Sequence, residues 1–360
     1  MVESRLIGPV RVVGAGLLGT SIGLGLTARG IDVILADASP TNLSLAIDYG
    51  AGRAATPGDA PQLIVVCVPP DVTADIVARE LEAFPDAIVT DVASVKLAPL
   101  TELRARGADV SRYIGSHPLA GRERGGPLAG RADLFIGRPW VVAAHDAISY
   151  QRATAIDDLI LDLGATLVEM SPADHDNAVA LVSHVPQVVS TLMARRLTDA
   201  PGSALNLAGG GVRDVTRVAA SDPELWVQIL GANPAPVRQI LLALRDDLDR
   251  FIDALADPAA PGARRQVAEE IAGGNTGVAR LPGKHGQDRR YSVITVMVDD
   301  TPGQLARLFN EIGEVGVNLE DLRLEHSPGA QIGLAEISIL PEAVSRLTTE
   351  LAARGWRIVG

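Results

Sequence analysis

The feature that most constrains this chain is a glycine-rich turn between two apolar runs near the N-terminus. Val12 and Val13 precede the letters GAGLLG at positions 14–19, and a helix-compatible segment then leads to a second apolar run, 31–35. Strand, glycine turn, helix and strand is the order of a dinucleotide-binding βαβ unit. The context on both sides makes this pattern more specific than an isolated GxGxxG.

Each glycine of this turn has its own predicted role. We expect Gly14 to turn the chain sharply, Gly16 to let a diphosphate approach the backbone, and Gly19 to let helix and strand pack closely. The diphosphate would lie on the free N–H groups of the helix N-terminus. The predicted cofactor-binding residues are Gly14, Gly16, Leu17, Leu18, Gly19, Asp37, Val68 and Pro69.

Asp37 ends the second apolar run, about 20 positions beyond the glycines. A carboxylate there can accept hydrogen bonds from both ribose hydroxyls of the adenosine half of the cofactor. Its charge would repel a 2'-phosphate, and no arginine follows at 38–40 to bind one. The sequence therefore predicts NAD rather than NADP. The alternative is that Asp37 is a solvated strand end.

The composition argues against several functions. A chain of 360 residues is long enough for two or three domains, and its net charge of -12 disfavours nucleic acid or an anionic membrane as partner. Cys67 is the only cysteine, so an internal disulfide is excluded. We find no leader pattern and no run of about 18 uninterrupted apolar residues. We expect a cytoplasmic protein that does not span a membrane, and we assign no metal site.

Strand-like and helix-like segments alternate up to about residue 170. The strand-like runs lie at 63–68, 87–92, 113–114, 140–144 and 166–170. This alternation predicts a mostly parallel sheet with helices on both faces, so residues 1–170 should form a Rossmann-like domain. Ligands of such sheets bind beyond the carboxyl ends of strands, which is where Ser94 and His117 fall.

A helical pattern begins at Ser171. The segment 171–174 resembles a capping box with proline at the first helical position, and 221–224 is a second one. Pro186 lies inside the first helix and predicts a kink near His184. We therefore predict an all-helical domain over residues 171–285, whose apolar faces would be buried by dimerisation.

The C-terminal residues 286–360 have a different pattern, βαββαβ, which is the ferredoxin-like order. A turn-rich linker is predicted at 273–287. The predicted elements are a strand at 291–298, a helix from 300–303 to about 315, strands at 319–325 and 332–340, a helix at 342–354 and a strand at 356–359.

Three internal motifs behind the glycine turn resemble the prephenate dehydrogenase family of tyrosine biosynthesis. They are HPLAG at 117–121 with Glu123 beyond it, SHVP at 183–186 and RDVTR at 213–217. The tail around DTPGQL at 300–305 looks like an ACT domain, a small module that often binds amino acids for feedback control. Together these features cover nearly the whole chain.

This resemblance implies NAD-dependent oxidative decarboxylation of prephenate to 4-hydroxyphenylpyruvate by a homodimer, with L-tyrosine or another amino acid at the ACT domain. Such chemistry needs a hydrogen-bond acceptor on the 4-hydroxyl, a cation for the substrate carboxylates and a closed site beside the nicotinamide. The implied catalytic residues are His117 and Ser94. The implied substrate-binding residues are Arg217, His184, Glu123, Asp214 and Arg213.

In this assignment neutral His117 accepts the hydroxyl proton and Ser94 orients the hydroxyl and the nicotinamide. Arg217 pairs bidentately with a carboxylate and Asp214 holds it in place, although these two could instead form a simple ion pair. The alternative for His117 is a histidine that merely caps a strand end, and that for Ser94 a plain loop hydroxyl.

Two further matches have structural alternatives. His184 corresponds to a position near the substrate side chain, but it could be a hydrogen-bonded core residue. Glu123 corresponds to a loop acid that gates the site, but it could be solvated. Family members commonly carry a second histidine where this chain has Gln187, so pH or inhibitor effects that depend on that histidine are not predicted here.

Three other functions remain open from the sequence. Arogenate dehydrogenase differs only in the substrate side chain. A 3-hydroxyacid dehydrogenase would place a lysine on the helical domain, whereas no lysine lies between Lys96 and Lys284. A non-enzymatic sensor of NAD and amino acids would need neither His117 nor Arg217.

Overall fold

The computed structural model describes residues 4–121, 125–148, 150–281, 291–326 and 332–359. By backbone contacts the chain divides into two compact units. The first consists of Met1–Leu192 with Val218–Leu244, and the second of Met193–Arg217 with Arg245–Gly360.

The first unit begins with a five-stranded parallel sheet in the order β3-β2-β1-β4-β5. Its strands are β1 Val10–Val13, β2 Val33–Ala36, β3 Arg53–Ala54, β4 Leu63–Val66 and β5 Ile88–Asp91. The helices between them are α1 Leu17–Thr27, α2 Pro40–Asp48, α3 Pro70–Ala83 and α4 Leu97–Ala105. Apolar side chains fill both faces of the sheet, with Val12 and Val65 in one core and Val13 and Ile64 in the other. The Rossmann-like prediction is confirmed for these strands.

A second, smaller sheet corrects the prediction of a single mostly parallel sheet. It contains β6 Gly115–Pro118, β7 Pro139–Ala143 and β8 Thr166–Met170, with α5 Tyr150–Asp162 before β8. Strand β6 runs antiparallel to β7, which pairs in parallel with β8. The predicted strand at 113–114 lies too early, because the letters GSHP have weak strand propensity and form a strand only through backbone pairing with β7.

The helical prediction from residue 171 onward is confirmed. The helices are α6 Pro172–Val179, α7 Val185–Arg196, α8 Gly202–Leu205, α9 Gly210–Thr216, α10 Pro223–Ala232, α11 Pro234–Ala256 and α12 Ala263–Val278. The side chain of Ser171 caps α6 by accepting from Asp174 N. A π-helical turn, Ala180–His184, separates α6 from α7. This turn lies just before Pro186, which has no N–H to donate to the regular helical hydrogen-bond pattern. The sequence predicts a kink at this place.

Two sequence-based boundaries in the helical part are wrong. The cap of α10 is Asp222, which accepts from Glu224 N, while Ser221 bonds to the Val218 carbonyl instead. The predicted linker begins too early because α12 continues to Val278 through glycines, which a helix tolerates at a cost of about 1 kcal/mol each. Positions 282–287 of that linker lie outside the described residues.

The helical run Pro172–Arg196 is, by length and composition alone, apolar enough to cross a membrane. A helix in the core of a globular protein passes the same test. This run carries His175, Asp176 and His184 as buried side chains, and a third of its most apolar window is buried in the protein.

The C-terminal part of the second unit has the predicted βαββαβ order. Its elements are β9 Ser292–Asp299, α13 Gln304–Val315, β10 Asp321–His326, β11 Ile332–Ile339, α14 Val344–Ala353 and β12 Arg357–Val359. They form an antiparallel sheet in the order β10-β11-β9-β12. Apolar residues at alternate positions of the central strands, such as Val296 and Ile337, pack against Leu308 and Leu347 of the two helices. The side chains buried in this core are therefore those that the strand and helix periodicities of the sequence place on one face.

Candidate active site

The glycine turn after β1 is tightly packed at two positions and open at the third. Gly14 has φ +102, and a Cβ there would lie 2.3 Å from the Cys67 carbonyl oxygen. A Cβ on Gly19 would lie 1.8 Å from the Gly14 carbonyl oxygen, whereas nothing lies within 4 Å of one on Gly16. These distances fit a sharp turn, a close helix–strand contact and a free approach to the backbone.

Asp37 lies beside this turn, directly after β2. Its carboxylate is half-buried and accepts hydrogen bonds from Ala15 N at 2.5 Å and Ser39 N at 2.6 Å. Val68 and Pro69 follow β4, and a Cβ on Gly14 would lie 3.2 Å from the Val68 side chain. Leu17 and Leu18 begin α1. The predicted cofactor residues are therefore at one edge of the parallel sheet, where its carboxyl ends meet.

His117 lies on β6 and is half-buried. Its Nδ1 atom is 2.9 Å from Nε2 of His175, near the start of α6. The two rings meet edge to face, with centroids 5.1 Å apart. The structure thus joins the predicted catalytic histidine to a second histidine that the sequence motifs did not indicate.

His175 and Asp176 extend this contact into the protein interior. His175 is fully buried, and its Nδ1 lies 2.8 Å from Oδ1 of Asp176. Asp176 also accepts backbone hydrogen bonds from Lys96 at 2.8 Å and Leu97 at 3.0 Å, which begin α4. The carboxylate therefore lies at a helix N-terminus, where negative charge is favoured.

A buried ion pair supports the other side of the site. Lys96 is 1% exposed, and its ammonium pairs with Asp91 and donates to the Ser116 carbonyl at 2.7 Å. The Tyr113 hydroxyl donates to the second oxygen of Asp91 at 2.7 Å. Ser94 is half-buried in the loop between Asp91 and Lys96. These bonds offset the cost of burying both charges.

His184 lies in the same unit, at the end of the π-helical turn. Its Nδ1 is 3.3 Å from the Asn233 amide, which also donates to the Asp176 carbonyl at 2.8 Å. The ring of Trp226 meets His184 edge to face. Gln187, one turn later, is buried, and its Oε1 lies 3.4 Å from the Ser221 hydroxyl oxygen. His184 is thus a hydrogen-bonded core residue, as its structural alternative expects.

The electrostatics of the site favour the neutral forms of His117 and His184. Burial lowers the pKa of His117 well below the ordinary 6.5, and His175, Lys96 and His184 lower it further. Burial also lowers the pKa of His184 to about 4, although Asp176 opposes the shift. A neutral imidazole can accept a proton, so this site can act as a base at neutral pH.

The other predicted substrate-binding residues fall elsewhere. Arg213 and Asp214 lie on α9 and Arg217 directly follows it, all exposed in the second unit. Among the described residues, Arg217 forms no ion pair with Asp214. The alternative of a simple ion pair between these two residues is therefore not supported by a contact. Glu123 lies outside the described residues.

Sequence reasoning missed Asp91, Lys96, His175 and Asp176. The available signals were an acid at the end of a strand, a lysine in the following loop, and a His-Asp pair behind a helix cap. None of these is specific alone. Within the described ranges, no cluster of three or more His, Cys, Asp or Glu side chains could hold a metal ion.

Comparison with known proteins gives two family matches in succession. Residues 22–169 match the nucleotide-binding domain of prephenate dehydrogenase, and residues 171–269 match its dimerization domain. A protein of Streptomyces niveus described as a probable prephenate dehydrogenase, NovF, is 36% identical over 356 residues. The alignment covers 96% of this chain and 98% of that protein.

Two solved structures are each similar to about three quarters of the chain. Synechocystis arogenate dehydrogenase is 28% identical, with a TM-score of 0.61 over 74% of this chain and 99% of that one. Prephenate dehydrogenase from A. aeolicus, solved with hydroxyphenyl propionate and NAD+, is 24% identical and has a TM-score of 0.66 over 76% and 100%. The second likeness supports the fold alone. With two family domains in order and a relative aligned over almost its full length, the chain belongs to the prephenate dehydrogenase family.

Proposed function

We propose that the site around His117 carries out the reaction of this family, the NAD-dependent oxidative decarboxylation of prephenate to 4-hydroxyphenylpyruvate. The observation that carries the proposal is a neutral histidine, hydrogen-bonded from behind, in the same unit as a complete dinucleotide fingerprint. The reaction needs a base that is neutral at physiological pH, and His117 meets that requirement.

The glycine turn and Asp37 bind NAD. Gly16 leaves open space for the diphosphate at the N-terminus of α1, and the Asp37 carboxylate accepts from the ribose hydroxyls. Its negative charge disfavours the 2'-phosphate of NADP. The bound nicotinamide supplies the hydride acceptor.

His117 accepts the proton of the substrate 4-hydroxyl as C4 gives up its hydride. Loss of CO2 then leaves the electron pair of the broken C–C bond in the ring, which becomes aromatic with a phenolate oxygen. His117 returns its proton to that oxygen. No net proton is taken up or released, so the residue ends each cycle neutral, in the form that burial favours.

The remaining site residues bind and orient the substrate. Ser94, in the loop beyond β5, orients the hydroxyl and the nicotinamide. Arg217, with Arg213 and Asp214 on α9, binds a substrate carboxylate, for which a guanidinium is suited because it donates two parallel hydrogen bonds. His184 contacts the substrate side chain, and Glu123 is proposed as the gating acid because it matches that family position.

The likeness to Synechocystis arogenate dehydrogenase supports arogenate as a second candidate substrate. The two substrates differ by an ammonium in place of a keto group. The test is absorbance at the reduced-nicotinamide band with prephenate or arogenate and with NAD or NADP. A higher kcat/KM for prephenate with NAD supports the proposal, and a higher value for arogenate would replace the substrate assignment.

We further propose a homodimer in the cytoplasm, paired through the helical domain. Helix α11 carries an exposed apolar stripe at Leu244, Leu248, Ile252 and Leu255, whose spacing places them on one side of the helix. Such a stripe is buried when a second copy covers it. Sedimentation of the full chain should therefore give a dimer, and a monomer at micromolar concentration would contradict this.

The C-terminal βαββαβ part is proposed to be a ferredoxin-like ACT domain that binds L-tyrosine or another amino acid. A cavity of about 330 Å³ lies between β9 and α13, and Asp299 and Asp300 line it. Acidic side chains suit the ammonium of an amino acid. Calorimetric titration of L-tyrosine into the full chain tests this, with Asp300→Asn as variant and Asp321→Asn as matched control. Binding that survives Asp300→Asn and is displaced by prephenate would assign tyrosine to the active site instead.

A further inference from the structure

The contacts behind His117 fix the direction of a hydrogen-bond chain. Ionised Asp176 can only accept, so the His175 Nδ1 that lies 2.8 Å away must carry a hydrogen and donate it. A neutral imidazole has one N–H, which leaves Nε2 of His175 as an acceptor. The His117 Nδ1 at 2.9 Å must then donate.

We propose that His175 and Asp176 are positioning residues that hold neutral His117 in the tautomer protonated on Nδ1, which leaves Nε2 bare to accept the substrate hydroxyl proton. This inference rests on the proposed role of His117 and deepens it. The tautomer of a histidine is set by the hydrogen bond that its other nitrogen makes. In Ser-His-Asp triads the acid orients the histidine base in the same way. Here a second histidine lies between acid and base.

Several hydrogen bonds hold Asp176, which ends the hydrogen-bond chain behind His117. Asp176 accepts from Lys96 N and Leu97 N at the N-terminus of α4, and its own carbonyl accepts from the Asn233 amide. His175 is fully buried, so water does not compete for either of its nitrogens. His117 thus receives a fixed acceptor from a side chain that cannot turn away.

The charged and titratable groups around His117 divide into two sets. On the α6 side are His175, which lowers the pKa of His117, and the Asp176 carboxylate behind it. On the β5 side is the Lys96 ammonium, which opposes that cation but is paired with Asp91. Two uncharged groups complete the surroundings, the Tyr113 hydroxyl on Asp91 and His184. The groups around His117 therefore favour its neutral form, so the proton taken from the substrate stays on His117 only until it is returned.

The first measurement is the 15N imidazole spectrum of His117 in the wild-type enzyme with NAD at pH 8, assigned by comparison with His117→Asn. We expect a proton on Nδ1 and none on Nε2. A proton on Nε2 would overturn the proposal, because a cationic or reversed His175 gives that result. This measurement needs neither turnover nor any variant of His175, so it remains informative if the proposed role of His117 fails.

The second measurement uses His175→Phe, which keeps a ring but removes both hydrogen bonds, and His175→Gln, which restores an acceptor. We expect His175→Phe to lower kcat by roughly 10²-fold with the KM for prephenate and the NAD affinity unchanged, and His175→Gln to recover most of the loss. The matched control is His145→Phe, since the hydrogen bonds of His145 join it to the backbone, at Tyr113 O and Ala147 N. A wild-type kcat in folded His175→Phe would contradict the proposal. A proton that stays on Nδ1 of His117 in this variant would contradict it too.

Discussion

The first unit and the C-terminal sheet bury different kinds of side chain. In the first unit Asp91, Lys96, His175 and Asp176 are all buried, and each is bonded to another polar group. The core of the C-terminal sheet is apolar throughout, and its ion pairs, such as Arg354 with Glu314, lie at the surface. The charges buried near His117 are thus compensated by polar partners, whereas the core of the C-terminal sheet, in the residues that the structure describes, has no buried charge to compensate.

The largest effect should follow His117→Asn, which removes the base from the polar cluster without adding charge. We expect kcat to fall by roughly 10²- to 10⁴-fold while NAD still binds. Steady-state rates with prephenate and NAD, beside fluorescence titration of NAD, measure both. His145→Asn, in the same unit, is the control and should retain activity. Unchanged turnover in His117→Asn would remove this residue from the mechanism.

Breaking the buried ion pair tests the stability side of the comparison. Lys96→Met leaves Asp91 buried without its cation and should lower the free energy of unfolding by about 3–5 kcal/mol. Urea denaturation followed by tryptophan fluorescence measures it. The matched control at the surface is Arg354→Met, for which no measurable change is expected. Equal effects of the two changes would break the contrast between the two regions.

Arg217→Ala tests whether an exposed cation in the second unit serves the reaction. Loss of a charge-assisted hydrogen bond should weaken substrate binding by about 1.5–3 kcal/mol, seen as a higher KM for prephenate. Arg217→Lys should recover only part of this, because lysine lacks the bidentate geometry. An exposed arginine on α11, in Arg245→Ala, is the control. An unaltered KM in Arg217→Ala would leave Arg217 with a structural role.

A smaller effect is expected at the cofactor edge. Asp37→Ala removes the charge that repels a 2'-phosphate, so the preference for NAD over NADP should fall by roughly tenfold. The ratio of kcat/KM values for the two cofactors measures it. Asp32 directly precedes β2, at the end opposite Asp37, and pairs with Arg53. Asp32→Ala should therefore keep the preference for NAD. If Asp37→Ala keeps it too, the ribose is held elsewhere.

The same contrast explains how far the sequence predicts the structure. The C-terminal elements were predictable because apolar residues recur with the period of each strand and helix down to one shared core. The glycine turn was predictable because close backbone approaches require glycine. The hydrogen bond between His117 and His175 was not predictable, because it joins residues 58 positions apart and no sequence periodicity indicates such a contact. Likewise β6 forms through pairing with β7, which its own letters do not indicate.

The most direct test of the account is the pH dependence of kcat/KM for prephenate in the wild-type enzyme, from initial rates at saturating NAD. Since burial, His175, Lys96 and His184 lower the pKa of His117, the residue should remain neutral as the pH falls through 6.5. We expect kcat/KM to keep its plateau there and to decline only well below 6.5, and we expect this acid limb to be absent from the residual activity of His117→Asn. A decline centred at or above 6.5 that His117→Asn removes would contradict the claim that the surroundings of His117 hold this base neutral.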